Sequence, residues 1–184
     1  MKLRNVLGLF DGISCGQVAL ERAGIEHDQY YASEIDKKPI KVTQKNWPDT
    51  VQLGDITKWR DWDLENLDLI IGGSPCQGFS TAGRQLNFDD PRSKLFFEFV
   101  RLVKELKPKY FLLENVKMTK EHRDTISNVL GVEAIYIDSA LVSAQTRKRY
   151  YWTNIPYLFG PINQHIILTD IIQTEGELEG SIVD

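Results

Sequence analysis

Short apolar segments with the composition of β-strands alternate along this chain with segments in which apolar residues recur at helical spacing. The pattern predicts strands over residues 6–10, 30–34, 51–53, 67–72, 110–113, 134–137 and 150–153. Helices are predicted around residues 18–20, after Asp36, over 95–106 and over 123–130, with Gly24 as a C-terminal cap and Asp90-Pro91 as a helix start. Strands that alternate with helices form parallel sheets, so we predict an α/β fold with a doubly wound, mostly parallel sheet.

Size and charge narrow the class of protein. The 184 residues, 42% of them hydrophobic, suffice for one domain with a sizeable core. Two cysteines and no secretory signal predict a reducing intracellular compartment, and no segment is long enough to span a membrane. The net charge is -4, but the residues after Arg149 include five acids and no Lys or Arg. The rest of the chain is nearly neutral, so contacts to phosphate would come from local clusters such as Arg147-Lys148-Arg149.

Chemically distinctive residues fall at the ends of the predicted strands. In chain order they are Asp11 and Gly12 after the first strand, Glu34 at the end of the second, Asp55 after the third, Cys76 after the fourth and Glu114 after the fifth. Open α/β sheets bind ligands at the carboxyl ends of their strands. The five positions together therefore predict one shared site, although an acid at any one of them could simply cap a helix.

The loop that follows the fourth strand carries a candidate nucleophile. Cys76 is preceded by Gly72, Gly73, Ser74 and Pro75, so glycine freedom and a fixed proline φ shape the backbone directly before the thiol. The alternative is that Cys76 is a small buried hydrophobic residue, which is the usual state of a free cysteine. Cys15 is interpreted as a small loop residue and not as a nucleophile.

The loop after the first strand predicts a cofactor site. Residues 10–16 are mostly small, which lets the backbone approach a ligand at a helix start, but they do not form the G-x-G-x-x-G dinucleotide pattern. Glu34 suits a carboxylate that accepts from both hydroxyls of a ribose, and Asp55 suits one that accepts from an adenine amine. Phe10, Ile35 and Ile56 could pack on the rings. An adenosine that bears a cation fits these acids better than a pyrophosphate; the alternative is an ordinary strand-to-helix turn.

Two further groups of residues complete the predicted site. Glu114 follows a buried strand, where a carboxyl can hold a proton, although it could also cap a helix. Arg147 and Arg149 alternate, so an extended backbone would place them on one face; the alternative is a solvated basic strand end. The three histidines have no metal-ligand spacing, and no metal is predicted.

These segments, in this order, resemble the DNA cytosine-5 methyltransferases over roughly residues 5–156. The matching motifs are Phe10-Asp11-Gly12 to Gly16, Glu34, Asp55-Ile56, Pro75-Cys76-Gln77, Glu114-Asn115-Val116 and Gln145-x-Arg147-x-Arg149. Residues 10–13, 72–76 and 95–99 look closest to the de novo vertebrate-type branch and its phage and bacterial relatives. The resemblance implies the Rossmann-like fold of class I S-adenosylmethionine-dependent methyltransferases.

The resemblance also implies a reaction and its residues. S-adenosylmethionine would be the methyl donor and a cytosine flipped out of DNA the acceptor, as in a restriction-modification methyltransferase. Cys76 would add to C6, Glu114 would hold a proton at N3, Arg149 would grip O2, and Arg147 would orient the site or a backbone phosphate. The cofactor-binding residues implied are Phe10, Asp11, Gly12, Ile13, Ser14, Cys15, Glu34, Ile35, Asp55, Ile56 and Pro75.

The end of the chain departs from the family pattern. We expect residues 1–156 to be a catalytic methyltransferase domain and 157–184 an acidic segment, with no counterpart of the target-recognition region or of the last two motifs. A truncated enzyme, or a split one whose second chain supplies that region, would have this sequence. The alternatives are a transfer-RNA cytosine-5 methyltransferase and a non-catalytic methyltransferase-like partner module. The expected location is the bacterial or phage-infected cytoplasm, or the nucleus of a eukaryote.

Overall fold

The computed structural model describes residues 2–75, 91–157 and 160–172, and the side chains of residues 91–93 are outside that description. The strands are β1 (Lys2–Leu9), β2 (Glu26–Ser33), β3 (Val51–Gln52), β4 (Leu67–Gly72), β5 (Tyr110–Val116), β6 (Ile135–Asp138) and β7 (Lys148–Thr153). The α-helices are α1 (Cys15–Arg22), α2 (Lys37–Asn46), α3 (Pro91–Leu106) and α4 (Lys120–Leu130). Short 3₁₀ helices span Ile56–Asp61, Ser139–Leu141 and Leu168–Asp170.

The strands form one mixed sheet in the order β3-β2-β1-β4-β5-β7-β6. The pairs β1-β2, β2-β3, β1-β4 and β4-β5 are parallel, whereas β7 runs antiparallel to both β5 and β6. The chain winds outward from β1 to β3 on one side and from β4 to β5 on the other, so the order reverses between β1 and β4. The predicted α/β class and doubly wound, mostly parallel sheet are confirmed, and ligands of such sheets bind at this reversal point.

The core covers both faces of the sheet because the central strands β1 and β4 carry buried apolar residues at successive positions, which point to opposite faces. Val6 and Leu69 belong to one buried cluster with Leu20 of α1, whereas Leu7 and Ile70 belong to a larger cluster on the other face. The larger cluster includes α3, whose apolar residues at helical spacing are buried as the sequence predicts: Phe96, Phe99 and Leu102. This packing fixes the two central strands, and with them the loops at their carboxyl ends.

One buried acid joins α3 to the 3₁₀ helix that follows β3. Glu98 is 5% exposed and accepts a hydrogen bond of 3.1 Å from Nε1 of Trp59. Its other oxygen pairs with Arg101 at 2.5 Å, which compensates the buried charge. Because Ile56 precedes Trp59 by one turn and Leu95 precedes Glu98 by one turn, this contact sets the separation of the two elements near the reversal point.

Element boundaries differ from the sequence-based expectations where the chain is polar. β1 begins at Lys2 and β2 at Glu26, earlier than predicted, because the mostly polar beginnings of the two strands pair with each other, Lys2 opposite Glu26. α4 begins at Lys120 and not at Arg123, since the Thr119 hydroxyl caps it. The predicted C-terminal cap is confirmed, with Gly24 at a φ of +63°, and α3 does begin at Pro91. The predicted cap Asp90 lies outside the described residues.

Candidate active site

The loop between β1 and α1 has an unusual backbone. Phe10, Gly12 and Ser14 have φ angles of +54°, +57° and +61°. Glycine adopts this left-handed region freely, but for the other two residues it is a strained conformation that persists only when neighbouring groups hold it. The hydrogen bonds of this loop therefore determine its shape.

Asp11 holds the loop from inside. One carboxylate oxygen accepts from the hydroxyl of Tyr30 at 2.8 Å, and the other accepts from the hydroxyl of Ser14. Burial raises the pKa of Asp11 above its ordinary value, against the opposite effect of these two hydrogen bonds. Burial, followed by the charge of Asp11, raises the pKa of Tyr30 well above its ordinary value. A Cβ at Gly16 would lie 2.6 Å from the Tyr30 hydroxyl, and one at Gly8 would overlap the Asp11 carboxylate, so both glycines leave room for this pair.

Glu34 holds the same loop from the neighbouring strand. One carboxylate oxygen accepts from the backbone N–H of Gly12 at 2.9 Å. The other accepts from the N–H groups of Ile35 and Asp36, at 2.8 and 2.9 Å. Glu34 thus ties the turn after β1 to the turn after β2, and its carboxylate is fixed at the end of the sheet.

A cavity of about 240 Å³ opens beside Glu34. Its described lining is Phe10, Ser33, Glu34, Ile35, Asp55, Ile56, Pro75 and Leu95. Six of these eight residues are cofactor-binding residues predicted from the sequence. Ser33 and Leu95 were missed, because a small residue inside a strand and a leucine on an amphipathic helix carry no separate signal.

The second acid that lines the cavity is Asp55. It begins the 3₁₀ helix Ile56–Asp61, and one of its carboxylate oxygens accepts from both the backbone N–H and the hydroxyl of Thr57, each at 2.9 Å. These two hydrogen bonds lower the pKa of Asp55. Ile35 is 74% exposed, so its apolar surface at the cavity is open to a ligand.

The other predicted cofactor-binding residues lie outside this lining. Asp11, Gly12, Ile13, Ser14 and Cys15 are not among the described residues that line the cavity. Ser14 is fully buried, Ile13 is 50% exposed, and Cys15 is exposed at the first position of α1. Their assignment as cofactor ligands stays a prediction, and what the structure shows for Asp11 and Ser14 is a role in shaping the loop.

Glu114 and the two arginines come together at the ends of β5 and β7. Nε of Arg149 lies 2.6 Å from Oε1 of Glu114, and Nη2 of Arg147 lies 3.7 Å from the same oxygen. The contact to Arg149 is a close ion pair, although its Nε–H is not directed at the oxygen as in a hydrogen bond. The antiparallel register pairs Val116 with Arg149, which places Arg149 on the same face as Glu114.

The turn after β4 lies against this group. A Cβ on Gly73 would lie 3.1 Å from Oε2 of Glu114, so the carboxylate packs directly on that backbone. Asn115 is 2% exposed and donates from Nδ2 to the carbonyl oxygen of Ser74 at 3.1 Å and to its hydroxyl at 3.2 Å. The next residue, Pro75, lines the cavity. Cys76, the predicted nucleophile, lies outside the described residues.

Comparison with known proteins assigns the family. Residues 4–134 match the family of C-5 cytosine-specific DNA methylases. The chain belongs to this family. In the part of the chain that the structure describes, no group of three or more His, Cys, Asp or Glu side chains could hold a metal ion. The same residues include no helix that is long and apolar enough to cross a membrane.

Proteins similar to this chain are found in bacteria and phages. The type II methyltransferase M1.ScrFI of Lactococcus lactis is 45% identical over 132 residues, which are 66% of this chain and 34% of that protein. M.NgoBV of Neisseria gonorrhoeae is 34% identical over 169 residues, 80% of this chain and 40% of that protein. The chain thus spans well under half the length of these relatives. Closeness to the de novo vertebrate-type branch stays a prediction.

Solved structures of similar proteins share the fold. A prophage-encoded E. coli protein described as a DNA modification methyltransferase matches with a TM-score of 0.63 at 31% identity, over 81% of this chain and 45% of that one. A DNMT2 of Spodoptera frugiperda matches with a TM-score of 0.58 at 25% identity, over 89% of this chain and 54% of that one. The predicted class I methyltransferase architecture is therefore confirmed for this chain.

Proposed function

We propose that this chain is the catalytic part of an enzyme that transfers a methyl group from S-adenosylmethionine to C5 of cytosine in DNA. The proposal rests mainly on the turn formed by residues 73–75, because this turn contacts both the cavity beside Glu34 and the strand that carries Glu114. Gly73 packs on Glu114, Ser74 is held by Asn115, and Pro75 lines the cavity beside Glu34. In the sequence, the residue that follows this turn is Cys76, the nucleophile that the proposed reaction requires.

The cavity suits an adenosine that carries a positive charge. Its described lining has two acids, Glu34 and Asp55, and no Lys or Arg, so it would repel a pyrophosphate and attract a cation. Glu34 accepts three backbone N–H groups and, with about four lone-pair sites on a carboxylate, keeps capacity for a ribose hydroxyl. Asp55 uses one oxygen for Thr57, which leaves the other for an adenine amine. Ile35 and Ile56 would cover the rings.

Cytosine C5 is a weak nucleophile, and the protein's part is to activate it. The Cys76 thiolate adds to C6, forming a C–S bond, and the displaced electron pair of the C5–C6 bond becomes available at C5. Glu114 holds a proton at N3, which offsets the negative charge that develops on the ring. Arg149 hydrogen-bonds O2 and keeps the carboxyl of Glu114 in place. S-adenosylmethionine, when bound, supplies an electrophilic methyl group to C5.

The end of the reaction restores the thiolate. A water molecule takes the proton from C5, and the electron pair of that C–H bond re-forms the C5–C6 double bond. The C–S bond breaks at the same time, so Cys76 leaves as a thiolate with the pair of that bond, and the proton at N3 returns to Glu114. The base must leave the helical stack before any of these steps, because stacking hides C6 from the thiolate. The side chain of Arg147 is 52% exposed and lies 3.7 Å from Glu114, so it is free to turn toward the DNA backbone.

We also propose that residues 1–156 act as the catalytic domain and that target recognition comes from a further polypeptide segment, in this chain's full-length form or in a second chain. The relatives are two to three times longer than the stretch they share with this chain, which supports the proposal. A DNA substrate also fits the intracellular location predicted from the sequence.

A methyl-transfer assay tests the function. We expect transfer of radiolabel from S-adenosylmethionine to duplex DNA, and none with the Cys76→Ala variant. Transfer to transfer RNA but not to DNA would replace the proposal with the RNA methyltransferase. The assay is repeated with the target-recognition segment of a relative added. If the chain then binds S-adenosylmethionine but transfers no methyl group to either nucleic acid, the non-catalytic module replaces the proposed enzyme.

A further inference from the structure

The 3₁₀ helix Ile56–Asp61 and α3 both contribute to the cavity beside Glu34. Asp55, which caps the 3₁₀ helix, lines this cavity together with Ile56, and Leu95 lines it from α3. The two elements come from distant parts of the chain. The side chains that join them therefore decide how far apart these parts of the lining lie.

A buried hydrogen bond joins the two elements one turn away from the cavity. Nε1 of Trp59 donates to Glu98 at 3.1 Å, and each of the two residues is only 5% exposed. Trp59 comes three residues after Ile56, and Glu98 comes three residues after Leu95. Because solvent does not replace a lost bond at so buried a position, a change in this contact either shifts the cavity lining or leaves a polar group without a partner.

Two arginines hold the partners of this bond in place. The second oxygen of Glu98 pairs with Nη1 of Arg101 at 2.5 Å, which compensates the buried charge and orients the carboxylate. The guanidinium of Arg60 lies 4.4 Å from the centre of the Trp59 ring and pairs with Glu105 of α3 at 3.1 Å. The indole and the carboxylate are therefore both fixed, although neither is among the described residues that line the cavity.

We propose that Trp59 and Glu98 are positioning residues that set the selectivity of the cofactor site for adenine. The inference rests on the proposed function, since it takes the cavity to hold the adenosine of S-adenosylmethionine. Asp55 has one carboxylate oxygen engaged by Thr57, and the other is left to accept from a base amine. A base with a carbonyl in place of the amine would bring two acceptor oxygens together, which lowers affinity. This selection requires a fixed Asp55, and the Trp59-Glu98 bond fixes the helix that Asp55 caps.

Two ligands that differ at one position of the base test this role. S-adenosylhomocysteine carries the amine, and S-inosylhomocysteine carries a carbonyl oxygen in its place. We would measure both affinities by calorimetry for the unaltered chain, for Trp59→Phe, which removes the donor, and for Glu98→Leu, which removes the acceptor. The ratio of the two affinities does not depend on the fraction of the chain that is folded, so a loss of stability alone does not change it.

Trp152→Phe is the matched control. Nε1 of Trp152 donates a buried hydrogen bond of 3.0 Å to the hydroxyl of Ser127, so this variant removes the same kind of bond from the same core cluster. The bond joins β7 to α4, and neither element contributes to the described lining of the cavity.

We expect the unaltered chain to bind S-adenosylhomocysteine at least about tenfold more tightly than S-inosylhomocysteine. The ratio should fall at least about threefold in Trp59→Phe and in Glu98→Leu, and should be unchanged in Trp152→Phe. A ratio that stays the same in both variants, or that falls equally in Trp152→Phe, would overturn the positioning role and leave the cofactor site in place. Absence of S-adenosylhomocysteine binding by the unaltered chain would instead contradict the proposed function, and this inference with it.

Discussion

Asn115 donates two hydrogen bonds from one amide nitrogen to Ser74, at 3.1 Å to its carbonyl oxygen and at 3.2 Å to its hydroxyl. Its own Oδ1 accepts from the backbone N–H of Val116 at 2.8 Å. The amide is thereby oriented, since its oxygen is held by β5 and its nitrogen must face the turn after β4. Through this contact the strand that carries Glu114 fixes the turn that leads to Cys76.

Replacing Asn115 with Ala should therefore lower kcat by more than the loss of folded protein explains. Displacement of a reacting group by about 1 Å reduces rates roughly 10²-fold, and we expect a loss of that order with little change in affinity for S-adenosylmethionine. Asn154→Ala is the matched control, because Asn154 also makes two bonds to backbone, at Phe111 and Lys109, on the opposite side of β5. Equal kcat values for the two variants, compared at equal folded fraction, would refute the positioning role.

Tyr30→Phe should weaken binding of S-adenosylmethionine, although Tyr30 does not line the cavity. The variant removes the hydrogen bond to Asp11 and leaves that half-buried carboxylate with one fewer donor, which costs about 1–3 kcal/mol. We expect roughly tenfold lower affinity by calorimetry, because the strained loop loses a support. Tyr31→Phe is the control, since no described residue hydrogen-bonds its hydroxyl. Identical affinities in the two variants would show that the Tyr30 bond does not shape the cofactor site.

The stability of the protein should depend on pH through Asp11. A carboxyl whose pKa is raised by folding binds its proton more tightly in the folded state. Its contribution to the free energy of unfolding is therefore fully present below the pKa of the unfolded state, near 3.8, and is lost as the pH rises through the pKa of the folded state. Asp11→Asn cannot titrate there. The free energy of unfolding of the unaltered protein, relative to that of the variant, should fall across this window in urea titrations. A difference that is constant or rises with pH would contradict the raised pKa.

Glu34→Ala should abolish most binding of S-adenosylmethionine. It removes the proposed ribose contact and the bonds to Gly12, Ile35 and Asp36 that shape the turn, so we expect affinity to fall at least about tenfold. Asp36→Ala serves for comparison, because the Asp36 carboxylate caps α2 by accepting from Lys38 and does not line the cavity. Calorimetry on both variants decides the matter: equal affinities would remove Glu34 from the cofactor site.

Most of the fold could be predicted from the sequence because strands and helices each produce a pattern within a few neighbouring residues. Apolar strand segments, the spacing in α3 and the glycine after α1 are each readable within a few residues, and strand ends then place Glu34, Asp55 and Glu114 at one edge of the sheet. Periodicity does not encode which strands pair or in which direction. The antiparallel insertion of β7 beside β5 therefore had to come from the structure, and it is this pairing that brings Arg149 to Glu114.

The supporting contacts could not be predicted for a related reason. Tyr30 fits a strand pattern, and nothing near it in sequence indicates a partner 19 residues away. Asn115 was predicted only as part of a motif, and its contact with Ser74 spans 41 residues. Such pairs depend on the register of neighbouring strands, which is a tertiary property.

The most direct test of the account is covalent capture of the target base. Duplex DNA with 5-fluorocytosine blocks the final loss from C5, so an active Cys76 should stay bonded to C6 after methyl transfer. With S-adenosylmethionine present, we predict a denaturation-resistant adduct that maps by mass spectrometry to the peptide containing Cys76, persists in Cys15→Ser and is lost in Cys76→Ser. An adduct that survives Cys76→Ser, or no adduct when the cofactor is bound and the DNA is held, would contradict the central claim.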